Sequence, residues 1–224
     1  MNLALTQIGL LLAKDLRIEA RTRQTLGLVI VLGLLIVVVL GLGLGPEQLG
    51  KGGVATATLW VAYLFGGVLV FEKTMAVERQ DGALASLLLA PVDRTVIYLA
   101  KLLANLALIG VLALVVTPAA VILLGFDLSA APLGFVGIMG LGMLGFAAVG
   151  TLFAAAVSST RLQGGLLAMV IFPICLPLVI TSTQLTQALF RENQPIGQGI
   201  ALLVAIDLIY LAVSWIVFEL VLEP

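Results

Sequence analysis

The chain alternates between long apolar runs and short polar breaks, and the first residues follow a different rhythm from the rest. Over 3–23, Leu5, Ile8, Leu12 and Leu16 share one helical face, while Lys14, Arg17 and Arg21 share another. Glu19 and Arg23 stand four residues apart, a favourable helical pair. This pattern predicts an amphipathic helix lying on an anionic membrane surface. Six apolar runs follow, at about 26–44, 54–70, 96–124, 133–157, 166–180 and 200–218. Judged against the ~20 residues a bilayer requires, they read as six membrane spans. The breaks are a Gly-rich loop at 45–53, a turn at 125–132 and polar loops at 158–164 and 181–198, the last polar enough to leave the membrane.

One break has a pattern of its own. In residues 71–94, a charged half holding Glu72, Lys73, Glu78, Arg79 and Asp81 runs into an apolar half, 83–90. Leu84, Leu87, Leu88 and Pro91 fall at i, i+3, i+4 and i+7, with Asp81-Gly82 as a helix start and Pro91 as its stop. A helix of about eight residues is too short to cross a bilayer. The expectation is a short amphipathic helix at the membrane face, offering a contact point to a soluble partner.

Composition agrees: 62% of residues are hydrophobic and 10% charged, against roughly 25% charged in soluble domains. The fold class is therefore an all-α integral membrane protein, one transmembrane domain over residues 1–224 with no room for a separate soluble domain. The net charge of −1 gives no reason to expect a nucleic-acid partner. Cys175 is the single cysteine, flanked by Pro173 and Pro177 in what reads as a kinked helix, and there is no histidine. That excludes His-based catalysis and His-ligated haem or metal in this chain. With the N-terminus in the cytoplasm, Lys14, Arg17, Arg21, Arg23, Lys73, Arg79, Arg94, Lys101 and Arg161 lie inside, and only Lys51 and Arg191 lie outside. This positive-inside bias places both termini and the 71–94 segment in the cytoplasm.

Two motif matches mislead. Gly45–Lys51 resembles a nucleotide-binding loop, but Gly52 stands where the Mg²⁺-binding hydroxyl belongs, and no strand precedes it. Gly140, Gly142 and Gly145 match a dinucleotide pattern inside the fourth span, where Gly134, Gly137, Gly145 and Ala148 form a small-residue stripe for close helix packing. With no nucleotide-binding motif, the chain is not expected to be an enzyme, and ATP hydrolysis falls to a partner. Three of the polar residues inside spans stand out. Lys101 is expected to snorkel to the inner surface, and Asn105, one turn on, to bond across to another helix. Asp207 lies some 10 Å into the sixth span. It should face protein, bonded to a neighbour or protonated, in a structural role or on a transport path.

Glu78-Arg79-Gln80-Asp81-Gly82-Ala83-Leu84, followed by Leu87-Leu88 and Pro91, resembles the E-R-x-x-G-x-L-x-x-L-L-x-x-P cytoplasmic segment of ABC-2-type exporter permeases. The longer string 82–106, with Lys14–Arg23 before the first span, is similar to one branch, the haem exporter protein B (CcmB) family of the cytochrome c maturation system. The resemblance implies the ABC-2-type exporter fold in a bacterial inner membrane. It further implies a short cytoplasmic coupling helix between spans 2 and 3, served by Glu78, Arg79, Gly82, Leu84, Leu87, Leu88 and Pro91. The implied partners are a soluble ABC ATPase subunit, a second haem-handling membrane protein and a small single-span protein, all within the lipid bilayer. This chain needs no cofactor of its own, and any haem belongs to the assembled complex. A generic ABC-2 permease exporting a drug, lipid or glycan, and a non-transporting membrane scaffold, remain as alternatives at the level of sequence.

Overall fold

The computed structural model describes residues 2–45, 53–80, 92–125, 128, 131–158, 165–190 and 196–221. Among them there are seven helices and no strand: α1 (Asn2–Thr22), α2 (Gln24–Gly43), α3 (Gly53–Gln80), α4 (Arg94–Leu124), α5 (Pro132–Ser158), α6 (Leu166–Leu189) and α7 (Gly197–Val221). Helices α2 to α7 are each long and apolar enough to cross a membrane. The protein is an all-α, multi-pass membrane protein with six candidate spans.

A single residue separates α1 from α2. Arg23 adopts the left-handed conformation, φ 52° and ψ 16°, which few non-glycine residues adopt. Glu19 holds this corner twice. Its carbonyl accepts from the Arg23 N–H at 2.7 Å, and its carboxylate accepts from the Leu26 N–H at 2.7 Å. The second bond satisfies one of the N–H groups that a helix start leaves without an intrahelical partner. Helix α1 then runs against α4, with Leu16 packed on the core while Leu3, Leu5 and Leu10 stay exposed.

Helix α3 is the most enclosed span and packs against α2, α4, α5 and α6. Its neighbours approach closely because glycines replace side chains at the crossings. A Cβ on Gly66 would lie 2.5 Å from Leu112 of α4, and one on Gly67 would lie 2.1 Å from the Phe146 ring of α5. Phe71 fills the reciprocal space: a Cβ on Gly150 would meet its ring at 2.1 Å, and its ring meets Phe146 edge-on with centroids 4.9 Å apart. Helix α2 contributes Thr25, Val29, Gly33, Val37 and Gly41 to the interior, with Gly33 and Gly41 set against Val116 and Leu124 of α4.

Three expectations change. The second span was expected over about 54–70; the helix that carries it, α3, runs on to Gln80. Buried Phe71 and Met75 anchor the extension, and its Glu, Lys, Met, Ala, Arg and Gln residues favour a helix. The fifth span was expected to stop near residue 180, with 181–198 outside the membrane, but α6 continues to Leu189. Thr181, Ser182, Leu185 and Thr186 are buried there. The Thr181 and Thr186 hydroxyls donate to the carbonyls of Pro177 and Ser182, four residues back, so polar residues continue the helix instead of ending it. Pro173 and Pro177 both lie inside this one helix. In α5, Gly134 packs against Leu189, Gly145 packs against Asp207 and Ala148 is buried, but Gly137 faces open space. Gly142 and Gly150 complete the packed set, which sequence spacing did not pick out.

Candidate functional site

The helix ends next to α1 carry a layer of polar contacts. Lys101 lies two turns into α4 with its residue 5% exposed, and its ammonium reaches the Asp15 carboxylate of α1 at 2.7 Å. The side chain expected to snorkel to the inner surface ends on α1. Helix α1 lies across this part of α4, and Asp15 brings a counter-charge to the ammonium before it reaches water. Asp15 also stands 3.4 Å from Lys14.

One turn further along the same face of α4, Asn105 is 1% exposed and bonds in two directions. Its Oδ1 accepts from the Thr74 hydroxyl of α3 at 3.0 Å, and its Nδ2 donates to the Thr151 hydroxyl of α5 at 2.9 Å. A primary amide can accept and donate at once, and the two threonine hydroxyls turn to suit it. Between α1, α2, α3 and α4 lies a cavity of about 30 Å³, lined by Asp15, Glu19, Thr25, Thr74, Lys101 and Leu108 among others. Nearby, α4 is tied to α7. Arg94 donates to the Glu219 carbonyl at 3.2 Å, Thr95 donates to the Glu219 carboxylate at 3.2 Å, and Trp215 Nε1 donates to Thr95 at 3.1 Å.

A second polar group lies deeper. Asp207 of α7 is 3% exposed, and among the described residues neither carboxylate oxygen has a hydrogen-bond partner. It faces α5, where a Cβ on Gly145 would stand 2.1 Å from its Oδ1. The Ser182 hydroxyl of α6 is also buried without a partner, against Gly142. Trp60 of α3 also lies against Gly142 and donates to Thr186 of α6 at 3.0 Å, and Tyr63 bonds Thr117 of α4.

Of the residues singled out in sequence, Lys101 and Asn105 come together in one layer and Asp207 stands apart from it. Glu78 and Arg79 lie on the last turns of α3, whose side chains there are outside the described set. Gly82, Leu84, Leu87, Leu88 and Pro91 lie outside the described residues. Asp15, Thr74 and Thr151 were missed. Thr151 is unremarkable in an apolar run, Asp15 and Thr74 lie among other polar residues, and only the four-residue spacing of Lys101 and Asn105 hinted at a polar face. Among the described residues, no group of three or more cysteines, aspartates and glutamates gathers as a metal site.

The family model described as CcmB protein matches residues 6–222, nearly the whole length. The chain belongs to the CcmB protein family. Among curated relatives, it is 25% identical over 214 residues to "Heme exporter protein B" of Bradyrhizobium diazoefficiens, covering 94% of each chain. It is 27% identical over 204 residues to the protein of that name in Paracoccus denitrificans, covering 91% of this chain and 93% of the relative. The Rhodobacter capsulatus protein of that name is 27% identical over 177 residues, 79% of this chain and 81% of the relative. Asp15, Thr74, Lys101, Asn105 and Thr151, the residues of the polar layer, all fall within the matched residues 6–222.

Proposed function

We propose that this chain is the membrane permease component of a haem-export system that serves cytochrome c biogenesis. The observation that carries the reading is the CcmB family match across residues 6–222. The six spans supply the membrane body that such a component needs. Haem enters as cargo of the assembly.

ATP hydrolysis belongs to a separate soluble ATPase, which docks on the segment after α3. Leu84, Leu87 and Leu88 anchor in a groove of that subunit, with Gly82 and Pro91 bounding the short helix and Glu78 and Arg79 at its rim, as helix-in-groove recognition uses i, i+3 and i+4 contacts. The unbroken run of α3 to Gln80 supports this, because it carries a rigid helix up to the start of the segment. A second haem-handling membrane protein and a small single-span protein complete the complex. The assembly sits in a bacterial inner membrane with both ends of this chain cytoplasmic, as the distribution of basic residues favours.

Deleting the gene should abolish covalent haem staining of c-type cytochromes while b-type haem spectra persist, and a plasmid copy should restore it. Normal c-type cytochromes in the deletion strain would refute the proposal.

A further inference from the structure

We infer that Asn105 is a positioning residue that passes displacement of α3 to α5. The inference rests on the proposal that the ATPase docks just beyond α3.

Apolar and polar contacts between helices behave differently under load. The deeper crossings of α3 are steric: Gly66 against Leu112, Gly67 against Phe146, and Phe71 against Gly150. Contacts of that kind fix the spacing of the helices by close packing but carry no directional bond. The Asn105 contacts are directional. One amide is bonded on one side to Thr74 of α3 and on the other to Thr151 of α5, so moving either helix along its axis or turning it strains both bonds. Thr74 lies six residues before the end of α3, about 9 Å by helical rise. The tie is therefore close to where a partner would push, and it is well inside the protein.

Lys101 shares the face of α4 with Asn105, one turn away. Its ion pair with Asp15 adds α1 to the same layer. Four helices then meet through two side chains of α4. The cavity of about 30 Å³ beside Thr74 and Lys101 leaves room for one water molecule, which gives this end of the bundle space to shift without losing its polar partners. A purely structural tie would account for the hydrogen bonds, but it would make no difference to coupling once folding is complete. That difference can be measured.

The test uses full-length chain with Asn105→Leu, Asn105→Gln and Thr151→Val, expressed with and without the ATPase subunit. Three quantities are read: ATPase co-purification, covalent haem in c-type cytochromes, and amide hydrogen exchange across 71–80 and 147–158. Asn105→Leu should insert and retain co-purification, yet lower cytochrome maturation by about twofold to thirtyfold, the range of coupling changes along such networks. Asn105→Gln, which keeps an amide, should recover part of the loss. In the wild-type complex, adding ATP should alter exchange in both segments, and in Asn105→Leu the change should be confined to 71–80. Wild-type maturation in Asn105→Leu, or loss of maturation in step with co-purification, would overturn the inference. If Asn105→Leu fails to insert, Thr151→Val removes only one bond and the same outcomes decide. If the wild-type chain itself fails to co-purify with the ATPase, the docking proposal falls. The tie is then judged on the chain alone: exchange in 147–158 that is unchanged by Asn105→Leu would overturn it, and faster exchange in both segments would support it.

Discussion

Adding one methyl group at Gly145 tests the placement of Asp207 directly. A Cβ there would lie 2.1 Å from Asp207 Oδ1, 3.1 Å from its Cγ and 2.6 Å from a Leu178 methyl. Non-bonded heavy atoms settle at about 3.5–4.0 Å, so the carboxylate must retreat by more than an ångström, from a site where the residue is 3% exposed. Overpacking of this kind costs about 1–3 kcal/mol. Asp207→Ala removes the main obstacle and leaves only the flexible tip of Leu178. It also removes a buried carboxylate with no hydrogen-bond partner among the described residues, whose desolvation alone costs at least about 1–3 kcal/mol. Asp207→Ala by itself should therefore be neutral or stabilising, unlike most buried truncations. Gly145→Ala should be destabilising in the natural background and clearly less so beside Asp207→Ala, with a coupling of about 0.5–3 kcal/mol. Thermal unfolding of the detergent-purified chain reads this cycle, since 1 kcal/mol moves the midpoint by about 2–4 °C for a chain of this size. Equal losses in the two backgrounds would show that Asp207 does not lie against Gly145.

Phe71→Ala should destabilise the chain by about 3–5 kcal/mol, because the ring is fully buried between Gly150 and Phe146; an unchanged melting midpoint would show that the ring does not fill that space. Single cysteines introduced at positions 51 and 191 should react with an impermeant thiol reagent only from outside the cell, and reaction from the cytoplasm would reverse the orientation. Leu87→Asp together with Leu88→Asp should weaken ATPase co-purification by about a hundredfold or more, given roughly 1.5–3 kcal/mol per buried leucine. Undiminished co-purification would move the docking site elsewhere.

The six spans were legible because a hydrophobic run needs no partner to announce itself. Their ends were not, for reasons visible in single residues. Phe71 and Met75 sit among charges that look like a loop, yet both are buried against α5 and its neighbours, and tertiary packing outweighs the local polarity. Thr181 and Thr186 look like an exit from the membrane, but their hydroxyls return to the helix backbone. The polar layer was half legible. Lys101 and Asn105 stand out as polar residues in an apolar run, whereas their partners are distant in sequence: Asp15 precedes Lys101 by 86 residues, and Thr151 follows Asn105 by 46. Nothing local in a single sequence marks such a pairing. For Asp207, its enclosure by protein was expected from cost alone, but the bare backbone of Gly145 opposite it could not be read from spacing.

The interior positions of α2 have a consequence for how this helix tolerates change. Thr25, Val29, Gly33, Val37 and Gly41 recur every fourth residue. On a helix of 3.6 residues per turn, a four-residue repeat advances about 40° at each step, so the contact line winds around the cylinder as a ridge inclined to its axis. The face that α2 turns inward therefore shifts progressively around the helix along its length. Most of its surface is exposed, at Leu28, Val31, Leu35, Val39 and Leu42 among others. In a saturation-mutagenesis scan those outward positions should accept nearly any apolar side chain, while larger residues at Gly33 and Gly41 are rejected. Selection on this helix then reads as a sparse diagonal of fixed sites within an otherwise interchangeable greasy rod.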